Sequence, residues 1–240
     1  MPVDDDDTRP LTRRERLRRQ TVDEIVQAAL ELVDTGGAHG LSLASVGKAM
    51  GMTPPALYHY FASREALLDA LVLAGYTDLG TAVESAARQA WDRPATERLA
   101  AIAHAWRRWA LDHPRRYSML FTGSRRESVD PLESVSTISQ SMLALVTAIQ
   151  EVAADAVTPG AGAAATDRSQ LGHDLSRWGA SLGAPADASP ASLRLALSTW
   201  YRVHGLVSLE IVGAFDTMGL DGERLLAAEL EGLVREAARG

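Results

Sequence analysis

The sequence predicts an all-α protein in two parts, and three observations carry that expectation. Apolar residues recur at steps of three and four along most of the chain. Period-two alternation of β-branched residues between turn signals is found nowhere in it. Glycines, prolines and Ser/Thr caps fall where the apolar runs stop and start. At 240 residues the chain is long enough for a small domain joined to a larger one, and its core needs no covalent staple.

Taken in order, residues 1–12 read as a disordered charged arm: Asp4 to Asp7 make it acidic, and six arginines against Glu15 alone follow between residues 9 and 19. Val22, Ile25, Val26, Ala29, Leu32 and Val33 predict an amphipathic helix over roughly 14–35, closed by Gly36-Gly37. Ser42 is placed to cap a short helix with Leu43, Val46 and Ala49 or Met50 on its apolar face, which Gly51 breaks. Thr53 caps a second short helix whose first position is Pro54, where the missing N–H costs nothing. Ser63 opens a third, carrying Leu67, Leu68, Leu71 and Val72.

Leu99, Ile102, Ala103, Trp106 and Ala110 define a helix that His113-Pro114 stops, and residues 115–121 form a further short one before Gly123. Val135, Ile138, Met142, Leu145, Ile149 and Val152 keep one face apolar over five turns. Residues 153–190 turn to Ala, Gly, Ser and Pro and read as a linker, flexible near 155–168, around one short helix at about 170–178. One long helix is expected from Pro190 through Phe215, with Leu193, Leu197, Trp200, Val203, Val207 and Ile211 on one face. Leu195, Leu206, Leu209 and Val212 make its other faces apolar too, so it is buried on more than one side. The turn Gly219 to Gly222 leads to a last amphipathic helix with Leu226, Leu230, Leu233 and Ala237.

Composition removes several classes of function. Without cysteine there is no disulfide framework, thiolate zinc site, iron–sulfur cluster or cysteine nucleophile. The amino terminus has no basic-then-apolar secretory signal, and no apolar stretch approaches the roughly 20 uninterrupted residues of a membrane span, so a cytoplasmic protein is expected. Six histidines without paired ligand spacing, and an aspartate run without the glycine and glutamate of a calcium loop, predict no metal and no cofactor. The net charge is −7, yet positive charge is concentrated beside one small segment, which suggests a local polyanion contact. Gly160 to Ala165 fits a loose dinucleotide pattern without the strand it needs, and Gly179-Ala-Ser181-Leu-Gly183 fits a nucleophile-elbow pattern on a helical run. Both are read as accidents of composition.

Residues 41–68, LSLASVGKAMGMTPPALYHYFASREALL, carry the function. Helix, glycine-centred turn and helix is the helix-turn-helix arrangement, whose second helix enters the major groove while the first braces it. Leu57 and Phe61, four apart, face the core with Tyr60 at their edge, which leaves Pro55, Ala56, Tyr58 and His59 outward. Small residues let the backbone approach the groove, and the Tyr and His tips offer hydrogen bonds to phosphates or base edges. A helical hairpin that binds no nucleic acid would show the same spacing.

The run Leu57 to Leu67, preceded by Gly51-Met52-Thr53 and an arginine-headed first helix, resembles the DNA-binding domain of the TetR family of bacterial transcriptional regulators over about residues 14–68. The resemblance implies that Ser42 and Thr53 cap helices and reach phosphates, and that Pro54, Pro55 and Ala56 sit at the groove. It implies that Tyr58 and His59, with Tyr60 beside them, contact backbone or bases and that Arg64 holds a phosphate. Lys48, Arg13 and Arg14 complete the DNA-facing candidates. Many relatives carry a basic residue near Pro55, so the proline removes a base contact there. Residues 90–215 resemble a subgroup of that family with a tryptophan followed by His-Gly in the second-last helix, here Trp200-Tyr201-Arg202-Val203-His204-Gly205. What this implies is a homodimer joined by the last two helices, a palindromic operator, and release of DNA when a small molecule enters the second domain. A long helix apolar on several faces followed by an amphipathic one suits such a four-helix seam on its own account.

Trp106, Trp109, Tyr117, Phe121, Trp178 and Trp200 all lie in the second part. Packing accounts for each singly; together they are the material of an aromatic-lined cavity for an apolar or aromatic ligand. His204, on an otherwise apolar helix, is either a hydrogen-bonded core histidine or a ligand contact. The expectation is a ligand-responsive repressor without catalytic residues, with a DNA-binding domain at 13–68 and a ligand-binding and dimerisation domain at 69–240. Its rivals are an all-α ligand-binding protein or enzyme using the second domain, and a DNA binder without sequence preference.

Overall fold

The computed structural model of the chain describes residues 12–121, 143–144, 146–152 and 169–237, and the regular structure among them is helical throughout. The arm at 1–11, the apolar positions Val135, Ile138, Met142 and Leu145, and the glycine-rich segment that includes 155–168 lie outside the described residues.

Helix α1 (Arg13–Gly36) starts on Thr12, whose hydroxyl accepts from the Glu15 amide while the Glu15 carboxylate accepts from the Thr12 amide, a reciprocal cap. The run Arg13 to Arg19 is therefore helical, in line with the rest of α1. A short 3-10 turn (Ala38–Gly40) leads to α2 (Leu43–Met50), α3 (Pro54–Tyr58) and α4 (Arg64–Gln89). Ile25, Ala29, Leu30 and Val33 of α1 close on Val46, Leu57, Leu67 and Leu68 to form the first core.

The second core is built from α4, α5 (Ala95–Asp112), α6 (Pro114–Phe121), α7 (146–152), α8 (Gln170–Leu182), α9 (Pro190–Ile211), α10 (Ala214–Met218) and α11 (Gly222–Ala237). Helix α9 is its axis, packed against α5, α8, α10 and α11. A boundary drawn at residue 68 falls inside α4, which gives Leu71 to the first core and Leu79 and Val83 to the second. Met119 of α6 lies in the first core although its helix follows α5, so α6 belongs to both.

Two elements depart from the expectation. The helix from Pro190 does not reach Phe215: α9 stops at Ile211, Gly213 takes the left-handed conformation (φ 73°), and α10 begins anew. The apolar period runs on through this break, which is why periodicity alone misses it. Conversely α8 continues to Leu182, past the expected end near 178. Its small residues are packing residues: a Cβ on Gly179 would stand 2.8 Å from Leu193 Cδ1, so glycine lets α8 and α9 close up. Helix α4 is long and apolar enough to cross a membrane by length and composition, although no uninterrupted apolar run of that length marks it in the sequence. Its buried residues Leu67, Leu68, Leu71, Leu79 and Val83 serve the two cores instead.

Candidate functional site

Ser42 and Ser45 build a reciprocal cap at the head of α2: the Ser42 hydroxyl accepts from the Ser45 amide, and the Ser45 hydroxyl accepts from the Ser42 amide, both at 3.0 Å. Gly51 then turns the chain in the left-handed region (φ 67°), and Gly47 leaves room for the carbonyl of Met52, 3.0 Å from where a Cβ would be. Thr53 precedes α3 as expected, but its hydroxyl caps nothing and stands exposed. Helix α3 is one turn and a half long, so His59 and Tyr60 lie beyond its end. Leu57 and Phe61 are buried, whereas Thr53, Pro54, Pro55, Tyr58, His59 and Lys48 are exposed and Ala56 and Tyr60 half-buried.

Beside this surface the first turns of α1 bring Arg13, Arg14 and Arg18 against His59 and Tyr60, around a cleft of about 460 Å³ that Leu17 and Thr21 complete. Arg18 Nη1 stands 3.5 Å from His59 Nε2, and its guanidinium lies 5.5 Å from the centre of the Tyr60 ring. Arg18, which the sequence offers only as one of a run, thus ties α1 to the end of α3. Arg64 is bonded within the domain: Nε donates to the Leu41 carbonyl at 2.7 Å and Nη2 to that of Ala38 at 2.8 Å. It holds the connection between α1 and α2 from inside the domain.

Five of the seven ligand candidates meet in one cluster. The Trp106 indole N–H donates to the Tyr117 hydroxyl at 3.2 Å, and that hydroxyl stands 2.6 Å from His204 Nδ1. Phe121 lies against Tyr117 and His204, each 4.7 Å between ring centres, and Trp200 stacks on His204 at 5.6 Å with the planes 10° apart. Tyr76, on α4, joins edge-on to Phe121 and hydrogen-bonds the Leu120 carbonyl; neither it nor Ser208, which bonds Tyr117, has a sequence pattern that marks it. Burial pushes the Tyr117 phenol up to about 12 and holds His204 below the ordinary imidazole value. Trp109 is apart from the cluster, its indole donating to Asp78 at 3.0 Å, and Trp178 packs on the core from α8 without a ring contact to the others.

Helix α6 carries Tyr117 and Phe121 into this cluster and, on the residues just before, a clamp on α1. Arg116, 9 % exposed, makes a two-pronged bond to Asp34, Nε to Oδ1 at 2.9 Å and Nη2 to Oδ2 at 2.5 Å. Arg115 donates to the carbonyls of Asp34 and Thr35 at the carboxy-terminal end of the same helix. On the far side Arg107 of α5 is held by Glu210 of α9, Nε to Oε2 at 2.8 Å, and by Glu223 of α11, to which His104 also bonds at 3.1 Å. The hydrogen bonds that Arg107 donates to the Glu210 carboxylate raise its pKa further.

Among the described residues no group of three or more His, Asp or Glu is placed to hold a metal ion. Ser181, of the nucleophile-elbow pattern, sits on a helix with its hydroxyl donating to the Trp178 carbonyl at 2.7 Å, which is not the strand-to-helix turn that chemistry needs. The dinucleotide pattern at Gly160 lies outside the described residues.

Two family models match the chain. One, for bacterial regulatory proteins of the tetR family, covers residues 25–71, and the other, for the tetracyclin repressor-like C-terminal domain, covers 99–233. The crystal structure of SCO4313 superposes with a TM-score of 0.70 at 34 % identity, over 92 % of this chain and 98 % of that one. A protein of unknown function from Rhodococcus sp. RHA1 shares the fold, with a TM-score of 0.66 at 23 % identity over 96 % and 97 % of the two chains. The HTH-type transcriptional regulator Rv1816 of Mycobacterium tuberculosis H37Rv is 33 % identical over 109 residues, 45 % of this chain. That match spans 47 % of the relative's own length, about half.

Proposed function

This chain belongs to the TetR family of bacterial transcriptional regulators, and on that premise we propose that it is a repressor that holds a palindromic operator as a homodimer and releases it when a small molecule enters the helical domain. The family is one of regulators and not of enzymes. Thr53 to Tyr60 of each subunit faces one half-site, with Tyr58 and His59 offered to base edges or phosphates and Arg13, Arg14 and Arg18 to the backbone beside them. The assignment to the subgroup with Trp followed by His-Gly rests on the Trp200 to Gly205 motif alone.

The observation that supports the ligand response is the double attachment of α6. Its Tyr117 and Phe121 stand in the aromatic cluster, and its Arg115 and Arg116 grip the end of α1, whose start flanks α3. A molecule that enters the cluster and displaces α6 moves the element to which the DNA-facing domain is fastened. It acts only through its different affinity for the two arrangements.

Fluorescence anisotropy of the purified chain against duplexes tiling the region upstream of its own gene, with an unrelated duplex as control at two salt concentrations, tests the reading. Saturable binding to a palindrome at two subunits per site supports it. Affinity that collapses with salt and ignores sequence favours a DNA binder without preference, and absence of any DNA affinity leaves a ligand-binding protein.

A further inference from the structure

One donor in the aromatic cluster has no acceptor. Trp200 Nε1 is buried and meets no hydrogen-bond partner among the described residues, and an indole nitrogen can only donate. A second donor stands one helical turn away. Trp106 can only donate to Tyr117, and with Ser208 donating to the same hydroxyl its hydrogen is left for His204 Nδ1. The imidazole accepts there and is neutral, because burial disfavours its charged form. Its own hydrogen is therefore on Nε2, for which no acceptor is present among the described residues.

The rings that carry these two donors stack face to face, and aromatic faces of Phe121 and Trp106 stand beside them. Among the described residues no cation serves the pair: Arg107, on the neighbouring helix α5, is held by Glu210 and Glu223. A carboxylate brought here would leave water for neutral donors alone, whereas a carbonyl, ether or ring nitrogen would find donors matched to it at little desolvation cost.

We propose that the molecule admitted by the helical domain is an uncharged aromatic or apolar compound bearing a hydrogen-bond acceptor, and that Trp200 Nε1 and His204 Nε2 are the groups that take it. This rests on the ligand-binding reading above and specifies its chemistry. It also accounts for a neutral histidine on an otherwise apolar helix, since the Tyr117 bond presets which nitrogen donates.

Three probes with one ring skeleton separate the cases: 2-ethylnaphthalene has no acceptor, 2-acetylnaphthalene a neutral one and 2-naphthoate an anionic one. They are titrated by calorimetry into the full chain, its Trp200→Phe variant and its His204→Phe variant, each checked for an unchanged melting temperature. The expected result is 2-acetylnaphthalene binding about tenfold tighter than either of the others, a preference that Trp200→Phe abolishes and His204→Phe reduces. On the unsubstituted chain, labelled with ¹⁵N at tryptophan, one indole N–H resonance moves downfield with 2-acetylnaphthalene and stays in place with 2-ethylnaphthalene. Equal binding of all three, a preference for the naphthoate, or a preference that survives Trp200→Phe overturns the proposal while leaving a ligand-binding domain. No binding of any probe up to its solubility limit overturns both.

Discussion

Arg64 and Tyr58 lie six residues apart and do opposite work. The Arg64 fork satisfies the carbonyls of Leu41 and Ala38, so Arg64→Ala leaves both without a donor and costs about 2 kcal/mol by the usual worth of a charged hydrogen bond. Arg64→Lys restores the charge but not the two-pronged reach, and urea unfolding should find it nearly as unstable as the alanine variant. Tyr58 is 56 % exposed and is not part of the first core. Tyr58→Ala should leave the unfolding midpoint in place and remove operator affinity; retained affinity would take α3 out of the groove. His204 gives the third residue-level expectation. Its folded pKa lies below the ordinary 6.5, so as pH falls below 6.5 the unfolded chain binds a proton that the folded chain refuses, and stability drops. Tyr117 does the converse, since between pH 10 and about 12 the unfolded phenol ionises while the folded one does not. Melting temperature should therefore decline just below pH 6.5, above the carboxylate range, and His204→Phe should flatten that limb.

Helix α6 joins two cores with eight residues, and its hold on α1 is a pair that is mostly withdrawn from water, with Arg116 and Asp34 side chains 11 % and 30 % exposed. Removing Arg116 leaves Asp34 unpaired and should cost about 3 kcal/mol, near the low end for such pairs because Asp34 keeps some solvent, whereas Asp34→Ala leaves Arg116 the Asp78 carboxylate at 3.6 Å and should cost less. The double variant should cost far less than the sum, and a sum that is simply additive would mean that the two side chains act independently. None of this is legible in the sequence. A helix leaves a local period, and Ser42, Gly51, Pro54 and Ser63 announce their ends within a few residues. An ion pair 82 positions apart leaves no such mark, nor does the Tyr117–His204 bond 87 apart. The same locality explains the misplaced ends: the apolar period of α9 runs through the left-handed Gly213, and the Ala/Gly/Ser composition of α8 conceals a close packing against Leu193. The local setting of Arg64, at the head of a helix, is that of a phosphate ligand, whereas the carbonyls it bonds come from the chain 23 and 26 positions earlier.

At the scale of the whole molecule, the described residues leave an apolar face uncovered on the last helices. Tyr201 and Leu209 of α9 and Val212 just past its end are exposed, Val212 at 74 %, and Met218 and Leu220 extend the patch toward α11. Gly205 lies in line with the first three at helical spacing, and a Cβ there would meet nothing within 4 Å, so a second α9 has room to cross closely at that point. A two-fold crossing of α9 and α11 on α9 and α11 would cover this face and set two α3 helices on one side of the dimer. Half-sites read by such a pair are about 34 Å apart, one turn of the duplex, or a multiple of that. Leu209→Arg together with Val212→Arg should then give a monomer by sedimentation with unchanged helix content, because neither side chain is part of the core. The monomer keeps its grip on a half-site but loses the second, intramolecular contact, so affinity for the full palindrome should fall by about 10² to 10⁴ while affinity for a half-site duplex stays the same. A variant that remains dimeric puts the seam on another face. A monomer that holds the palindrome as tightly as the parent removes the two-headed reading, and with it the need for a fixed distance between the two α3 helices that a ligand acting through α6 would change.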